Sequence, residues 1–102
     1  MIRVNAYYQN SPDAKFDFDY YAGTHFPMVM ELMRPYGAIR FEVERCLSGS
    51  QGEAPRHIAV GTIYFEDMAR LQEGLGVHVG RILADVPNYT NLVPDIQFGE
   101  VL

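Results

Sequence analysis

Apolar and polar residues alternate along several stretches of the chain, and a period of two is typical of β-strands. Two such stretches cover residues 2–8 and 38–47, and a third stretch that predicts a strand covers residues 57–65. In the first stretch, apolar Ile2, Val4, Ala6 and Tyr8 alternate with Arg3, Asn5 and Tyr7. The third stretch is apolar on both faces, which predicts a central strand covered on both sides. A last strand is predicted over residues 96–102.

Two other stretches carry apolar residues at the spacing of an amphipathic helix. The first runs from Asp17 to Met33 and stops at Arg34-Pro35-Tyr36-Gly37, because proline cannot continue a helix. The second follows Asp67, a residue type that favours the N-cap position. Its apolar stripe consists of Met68, Leu71, Leu75, Val79 and Ile82.

The predicted order of elements is therefore βαββαβ, the pattern of a ferredoxin-like α+β domain with a four-stranded antiparallel sheet. Both helices must cover one face of the sheet, since each βαβ crossover is right-handed. The other face would be open, carrying Phe41, Ile63 and Phe65 or the residues opposite them. An exposed apolar sheet face is an association site, so we predict a homodimer through the open face.

Length, charge and cysteine content exclude several classes of protein. A chain of 102 residues predicts one domain over residues 1–102. The net charge of −5 and the single lysine, Lys15, offer no basic surface to nucleic acid or to acidic membranes. With no signal peptide, no membrane helix and the lone Cys46, we expect a soluble cytoplasmic protein. The histidines are scattered and no phosphate-binding loop is present, so we expect neither a metal nor a cofactor.

Short aromatic and His-x-Pro segments follow one another along almost the whole chain. They are Phe18-Asp19-Tyr20-Tyr21 with Thr24-His25-Phe26-Pro27, Ile63-Tyr64-Phe65 before Asp67, and Asp85 to Thr90 with Pro94, Ile96-Gln97 and Gly99-Glu100-Val101. Their order and spacing resemble the EthD family of dimeric α/β-barrel proteins. The resemblance implies a dimer with a hydrophobic pocket between each sheet and its first helix. Related barrels include cofactor-free monooxygenases, polyketide cyclases and lactone isomerases, so the fold alone selects no reaction.

His25 is the leading candidate for chemistry, because imidazole titrates near neutral pH. Pro27 lies inside the helical pattern, where it removes one backbone donor and crowds the carbonyl of Gly23. Either one kinked helix runs through this point, or the helix restarts with Thr24 as its N-cap. In the second geometry the helix dipole would keep His25 neutral. The structural alternative is a His25 that anchors the helix to a backbone carbonyl, whereas the family's His-x-Pro segment implies a pocket role.

Tyr21 precedes His25 by one helical turn and should share its face. It could orient a substrate oxygen or the imidazole, or simply pack in the core. Further residues on the strands are candidates for contacts with a small hydrophobic ligand: Arg3, Asn5, Tyr7, Phe41 and Ile63. The first three would instead contact the partner subunit if the sheet face is an interface.

The remaining polar residues have structural interpretations. Asp85 and Asn88 follow the second helix and are typical of turns in which side chains bond the local backbone. Tyr89 is expected to pack across the dimer. His57 and His78 are interpreted as surface or packing histidines.

Two hypotheses for function follow. The first is a cofactor-independent enzyme that acts on a small hydrophobic or aromatic compound, with His25 as acid and base and Tyr21 as its helper. An oxidative degradative role is preferred on family association, and cyclisation, isomerisation or dehydration are the other proton-transfer reactions. The second is a non-catalytic protein that binds a hydrophobic metabolite for a partner oxygenase.

Overall fold

The computed structural model describes all residues from Met1 to Leu102. The strands are β1 (Ile2–Gln9), β2 (Ala38–Arg45), β3 (His57–Phe65) and β4 (Asp95–Glu100). They form one antiparallel sheet in the order β2-β3-β1-β4. The first helical region lies between β1 and β2, and the second helix (Met68–Ala84) lies between β3 and β4. The predicted ferredoxin-like βαββαβ fold is therefore confirmed, and β3 is a central strand as expected.

The first helical region is continuous but changes its winding. It consists of α-helical Phe18–Tyr20, π-helical Tyr21–His25 and α-helical Phe26–Met33, followed by a 3₁₀ turn at Arg34–Tyr36. The Phe26 N–H donates to the carbonyl of Tyr21, five residues earlier. Pro27 accounts for this local widening, because it has no N–H and its ring would crowd a carbonyl in a regular α-helix.

The predicted restart of the helix with Thr24 as N-cap is wrong. Thr24 lies inside the π-helical segment, and His25 has helical backbone angles of φ −63° and ψ −58° with no side-chain cap. The alternative of one helix running through this point is correct. A helix N-terminus therefore does not set the charge of His25. Burial lowers the pKa of His25 instead.

The helix-covered face of the sheet holds the apolar residues of the central strands. Val4 lies opposite Ile63, and Ile63 lies opposite Phe41, so these three side chains share a face. Phe41 stacks on Phe26 of the first helical region, with ring centroids 5.0 Å apart. Phe41, Ile63 and Phe65 therefore do not lie on the open face. Because β3 is apolar on both sides, the sequence pattern left this assignment undecided.

The open face of the sheet is amphipathic rather than apolar, which corrects the expectation of a bare hydrophobic surface. Thr62 donates a hydrogen bond to the side chain of Asn5 (2.9 Å), and Tyr64 donates one to Glu42 (2.8 Å). The guanidinium of Arg40 lies 3.9 Å from the centre of the Tyr64 ring. A partner that binds this face must therefore present groups complementary to its polar and aromatic side chains.

The second helix packs chiefly on the first helical region. At their crossing, a Cβ on Gly74 would lie 2.7 Å from the terminal methyl of Met33 and 2.7 Å from Cγ of Tyr36. Glycine is therefore needed for this close approach. The second helix makes few close contacts with the sheet, and this separation leaves space above β1 and β4. Neither helical region has the length and apolar character that crossing a bilayer requires.

Candidate active site

A cavity of about 320 Å³ lies between the helix-covered face of the sheet and the helices. Of its 21 lining residues, 18 are hydrophobic, including Val4, Ile63 and Leu75. The volume is at the lower end of the range of about 300 to 1,000 Å³ found for ligand pockets. The polar groups in its wall come from one histidine and three tyrosines, which are His25, Tyr8, Tyr21 and Tyr89. The cavity is thus an apolar space with a small polar wall.

His25 is bound by the carboxylate of Asp85, which lies at the end of the second helix. Its side chain is only 5% exposed, and Nδ1 lies 2.9 Å from Oδ2 of Asp85. The second oxygen of Asp85 accepts hydrogen bonds from the Tyr20 hydroxyl (2.7 Å) and from Nδ2 of Asn88 (2.8 Å). With Asp85 ionised, Nδ1 of His25 must carry the proton, so Nε2 of the neutral ring is an acceptor.

The electrostatics of this pair keep the imidazole neutral and the carboxylate charged. Burial lowers the pKa of His25, and the hydrogen bond and charge of Asp85 oppose this only in part. For Asp85, burial acts to raise the pKa, but the hydrogen bonds from Asn88, His25 and Tyr20 together lower it. At neutral pH His25 is therefore a base with a fixed tautomer.

Nε2 of His25 is free of hydrogen bonds within the chain. Every fully buried side-chain nitrogen and oxygen, by contrast, has a partner. Nε2 must therefore retain exposed surface, and His25 lines the cavity. The expectation that His25 merely anchors the helix to a backbone carbonyl is not met, because its hydrogen bond is to a side-chain carboxylate.

The tyrosines form an aromatic cluster around His25. The Tyr21 ring stacks on the imidazole with centroids 5.5 Å apart, and the Tyr89 ring lies 4.7 Å from both. The hydroxyls of Tyr8 and Tyr89 are hydrogen-bonded at 2.6 Å. Burial raises the pKa of all three phenols above the ordinary value, so they stay protonated well beyond neutral pH. They are therefore hydrogen-bond donors rather than bases.

Gly61 makes room for Tyr21. A Cβ at this position of β3 would overlap the Tyr21 hydroxyl and would lie 2.7 Å from Cε2 of Phe26. The absence of a side chain lets the phenol reach the sheet beneath the cavity. Gly61 is therefore part of the construction of the site.

Backbone contacts bring the two halves of the site together. Asp85 ends the second helix, and a 3₁₀ turn at Val86–Asn88 follows it. The Asp17 N–H donates to the carbonyl of Tyr89 (2.8 Å), and Phe16 forms a bridge with Thr90. The start of the first helical region is thus tied to the segment that carries Asp85 and Tyr89.

The structure separates the candidate residues into two groups. His25, Tyr21 and Ile63 line the cavity, whereas Phe41 packs beside Phe26 outside its wall. Another set occupies the open face of the sheet and does not approach His25: Arg3, Asn5 and Tyr7. A single small ligand in the cavity cannot contact both groups.

Several residues of the site were not recognised in the sequence. Asp85 does belong to a turn, in which its carbonyl accepts the Asn88 N–H, but its carboxylate also binds His25. Tyr89, expected at the dimer contact, is 3% exposed within the single chain. Tyr8 and Tyr20 also complete the cluster. Only the apolar-face position of Tyr8 in the alternating pattern of β1 could have indicated any of these roles.

The other histidines lie elsewhere. The His57 ring is 5.3 Å from that of Tyr7, and the His78 ring is 5.9 Å from that of Tyr36. Their interpretation as packing or surface residues agrees with these contacts. No three His, Cys, Asp or Glu side chains lie close enough together to hold a metal ion.

The sheet order and the helix-covered cavity define the class of protein, a ferredoxin-like domain of the dimeric α/β-barrel superfamily. An EthD-like protein from Ralstonia eutropha is 31% identical, with a TM-score of 0.91, over 99% of this chain and 91% of that chain. The chain belongs to the EthD family, as its sequence segments indicated.

More distant structures share the fold. An EthD family protein from Bacillus halodurans is 21% identical, with a TM-score of 0.73, over 100% of this chain and 99% of that chain. SnoaB, a cofactor-independent oxygenase from Streptomyces nogalater, is 9% identical, with a TM-score of 0.61, over 98% of this chain and 90% of that chain. No family sequence model and no curated protein matches the chain.

Proposed function

We propose that the protein is a cofactor-independent enzyme that transfers protons on a small hydrophobic or aromatic compound held in the cavity. One observation carries this proposal: His25 lines an apolar cavity with Nε2 free of hydrogen bonds within the chain, while Asp85 binds the opposite side of the ring. A carboxylate in this position sets the tautomer and stabilises the imidazolium that forms when the base takes a proton.

His25 and Tyr21 have different roles in one proton transfer. Nε2 of His25 removes a proton from the bound compound, and the electron pair of the broken bond stays on the substrate. The Tyr21 ring stacks on the imidazole and holds its orientation, while the Tyr21 hydroxyl interacts with that of Tyr8. The apolar wall of the cavity strengthens the interaction between the Asp85 carboxylate and the imidazolium that forms.

An oxidative outcome is the preferred form of this reaction. In it the deprotonated substrate reduces molecular oxygen, a CH₂ group becomes a carbonyl, and the second oxygen atom leaves as water. Support comes from the fold shared with a cofactor-independent oxygenase. If the proton instead returns to another atom of the substrate, the same residues catalyse isomerisation, cyclisation or dehydration.

The test is turnover of one- and two-ring aromatic compounds by the wild type and by His25→Ala. Product formation is followed by mass spectrometry and oxygen uptake by an electrode, so that oxidative and non-oxidative reactions are separated. We expect a loss of roughly 10²- to 10⁴-fold in kcat/KM, the usual contribution of a general base. His78→Ala is the matched control, because His78 lies away from the cavity. Equal activity of wild type and His25→Ala contradicts the proposal.

We also propose that the protein forms a homodimer through the open face of the sheet and that it works in the cytoplasm. Family membership supports it, as does the run of aromatic and hydrogen-bonded side chains around Thr62 and Tyr64. Val60 faces the same side as Tyr7 at the centre of this face. We expect Val60→Glu to halve the mass measured by light scattering, because a buried unpaired charge is costly at an interface.

The control for this experiment is Val77→Glu, at a position on the second helix that is 63% exposed. It should retain the dimer mass. Circular dichroism establishes that both variants remain folded. A wild type that is monomeric at micromolar concentration is incompatible with the proposed association.

A further inference from the structure

We propose that the substrate is a neutral aromatic compound with an apolar extension, and that this extension leaves the cavity between the second helix and β4. The reacting end lies beside His25, and the extension lies at the edge of the sheet. The inference rests on the proposed function, in which the reaction takes place at His25, and it names the chemical class of the substrate.

The cavity has a mouth between the second helix and β4. Four large apolar residues of its lining are about two-fifths exposed, whereas His25 in the same lining is nearly buried. The four mouth residues are Val79 (39%) and Leu83 (44%) on the helix, with Ile96 (45%) and Phe98 (43%) on β4. The helix and the strand make few close contacts, so the gap between them is open to solvent.

The floor of the cavity leads to this mouth without interruption. Two rows of paired residues cross the sheet from β3 through β1 to β4, and every member lines the cavity: Gly61, Ala6 and Ile96 in one row, and Ile63, Val4 and Phe98 in the other. Tyr21 and Phe26, whose rings contact that of His25, lie over Gly61 at the inner end. Neighbouring strands are about 4.8 Å apart, so the path from β3 to β4 is roughly 10 Å long.

The lining selects a neutral ligand. None of its 21 residues is Asp, Glu, Lys or Arg, and the chain has a net charge of −5. A charged group on this floor would lose its hydration without gaining a counter-ion. Carboxylates, phosphates and phenols acidic enough to ionise at neutral pH therefore lie outside the class, whereas neutral aryl ketones lie within it.

An apolar chain has two possible directions in the cavity. One side is closed by Met33, Phe65 and Leu71, which are at most 1% exposed. A chain directed there would leave the apolar mouth residues in water. A chain that passes the mouth covers them, and the gain is proportional to the apolar area removed from water.

Binding is measured with alkyl phenyl ketones from acetophenone to octanophenone, which are neutral at every pH used. Each ketone displaces the neutral fluorescent dye N-phenyl-1-naphthylamine from the protein. We expect the affinity to rise about fourfold per added methylene group through the whole series, the usual gain for burying one.

Variants at the mouth should affect only the long members of this series. Leu83→Ser and Phe98→Ser should each weaken the binding of octanophenone by about tenfold and should leave acetophenone unchanged, because only the long chain reaches the mouth. The matched control is Val77→Ser, since Val77 is exposed on the same helix but does not line the cavity. It should leave the whole series unchanged.

A photoreactive probe locates the chain directly. Octanophenone with a diazirine at the end of its chain is irradiated with the wild-type protein, and the labelled residues are identified by mass spectrometry. We expect the label on the mouth residues of the second helix and β4. A label confined to Met33, Phe65 or Leu71 would overturn the inference.

Two further results would overturn it. One is an equal loss of acetophenone and octanophenone binding in Leu83→Ser and Phe98→Ser. The other is a lower mass by light scattering in these variants than in Val77→Ser, since a second copy of the chain would then cover the mouth.

The outcomes for the ligand class and for catalysis are separable. His25→Gln should retain the whole affinity series, because the mouth does not depend on the base. Labelling at the mouth with no His25-dependent turnover supports the inference and refutes only the proposed catalysis. His25-dependent turnover with the label on the closed side refutes the inference alone.

Discussion

Asp85→Asn is expected to lower kcat/KM by roughly 10²- to 10⁴-fold, although Asp85 does not contact the cavity. Its carboxylate accepts the Nδ1 proton of His25 at 2.9 Å and so leaves Nε2 free to act as the base. The amide of the variant removes the negative charge that stabilises the imidazolium. It also offers an N–H where the carboxylate had only acceptors, so the tautomer of His25 is no longer fixed.

This variant has a matched control in Asp95→Asn, because Asp95 is an exposed residue of β4. Steady-state kinetics with one- or two-ring substrates should show the loss in kcat rather than in KM, since the interaction strengthens in the transition state. Circular dichroism checks that the fold persists. Asp85→Asn with the same kcat as Asp95→Asn would refute a role for the carboxylate.

The second large effect is expected at acidic pH. Burial lowers the pKa of His25 below the ordinary value of about 6.5. The groups that contact its ring are the Asp85 carboxylate and the aromatic rings of Tyr21, Phe26 and Tyr89. We expect kcat/KM to stay constant from pH 8 down to about 6.5, and to fall tenfold per pH unit once the lowered pKa is passed.

The free energy of unfolding should follow the same titration. The folded-state pKa of His25 lies below its unfolded value, so the unfolded chain binds more protons in this range and stability rises with pH. The contribution is complete above about pH 6.5 and is lost as the pH falls toward the folded pKa. His25→Gln should remove this loss, whereas His78→Gln should retain it. Urea unfolding measured between pH 5 and pH 8 checks the sign, and a stability that rises on acidification would contradict it.

The sequence predicts the fold well because the fold depends on periodic patterns. The alternation in residues 2–8 and the apolar run of residues 57–65 place β1 and β3 at the centre of the sheet. Asp67 caps the second helix by accepting the N–H of Arg70, as its residue type suggests. What the pattern cannot decide is which face of a strand that is apolar on both sides meets the helices. This ambiguity explains why the sequence left open whether Phe41 and Ile63 or the residues opposite them lie on the open face.

The site is predicted only in part because its contacts join distant positions. His25 and Tyr21 could be found, since they lie one turn apart on one helix. Asp85 is 60 residues from His25 and resembles a turn residue, so no local pattern connects the two. Tyr8 and Tyr89 are 81 residues apart, and only the folded chain shows their hydrogen bond. The π-helical turn accommodates Pro27 without ending the helix. The two geometries predicted from the sequence, a kinked helix and a restarted helix, did not include it.

The central claim is that His25, in the lining of the cavity, is a neutral base whose Nε2 is free of hydrogen bonds within the chain. Long-range ¹H–¹⁵N NMR of the histidine side chains tests it most directly, with His25 assigned by the signal missing in His25→Gln. At pH 7 we expect the Nδ1–H tautomer, an unprotonated Nε2, and titration only below pH 6.5. A His25 that carries its proton on Nε2 at pH 7, or that is already an imidazolium there, would contradict the claim.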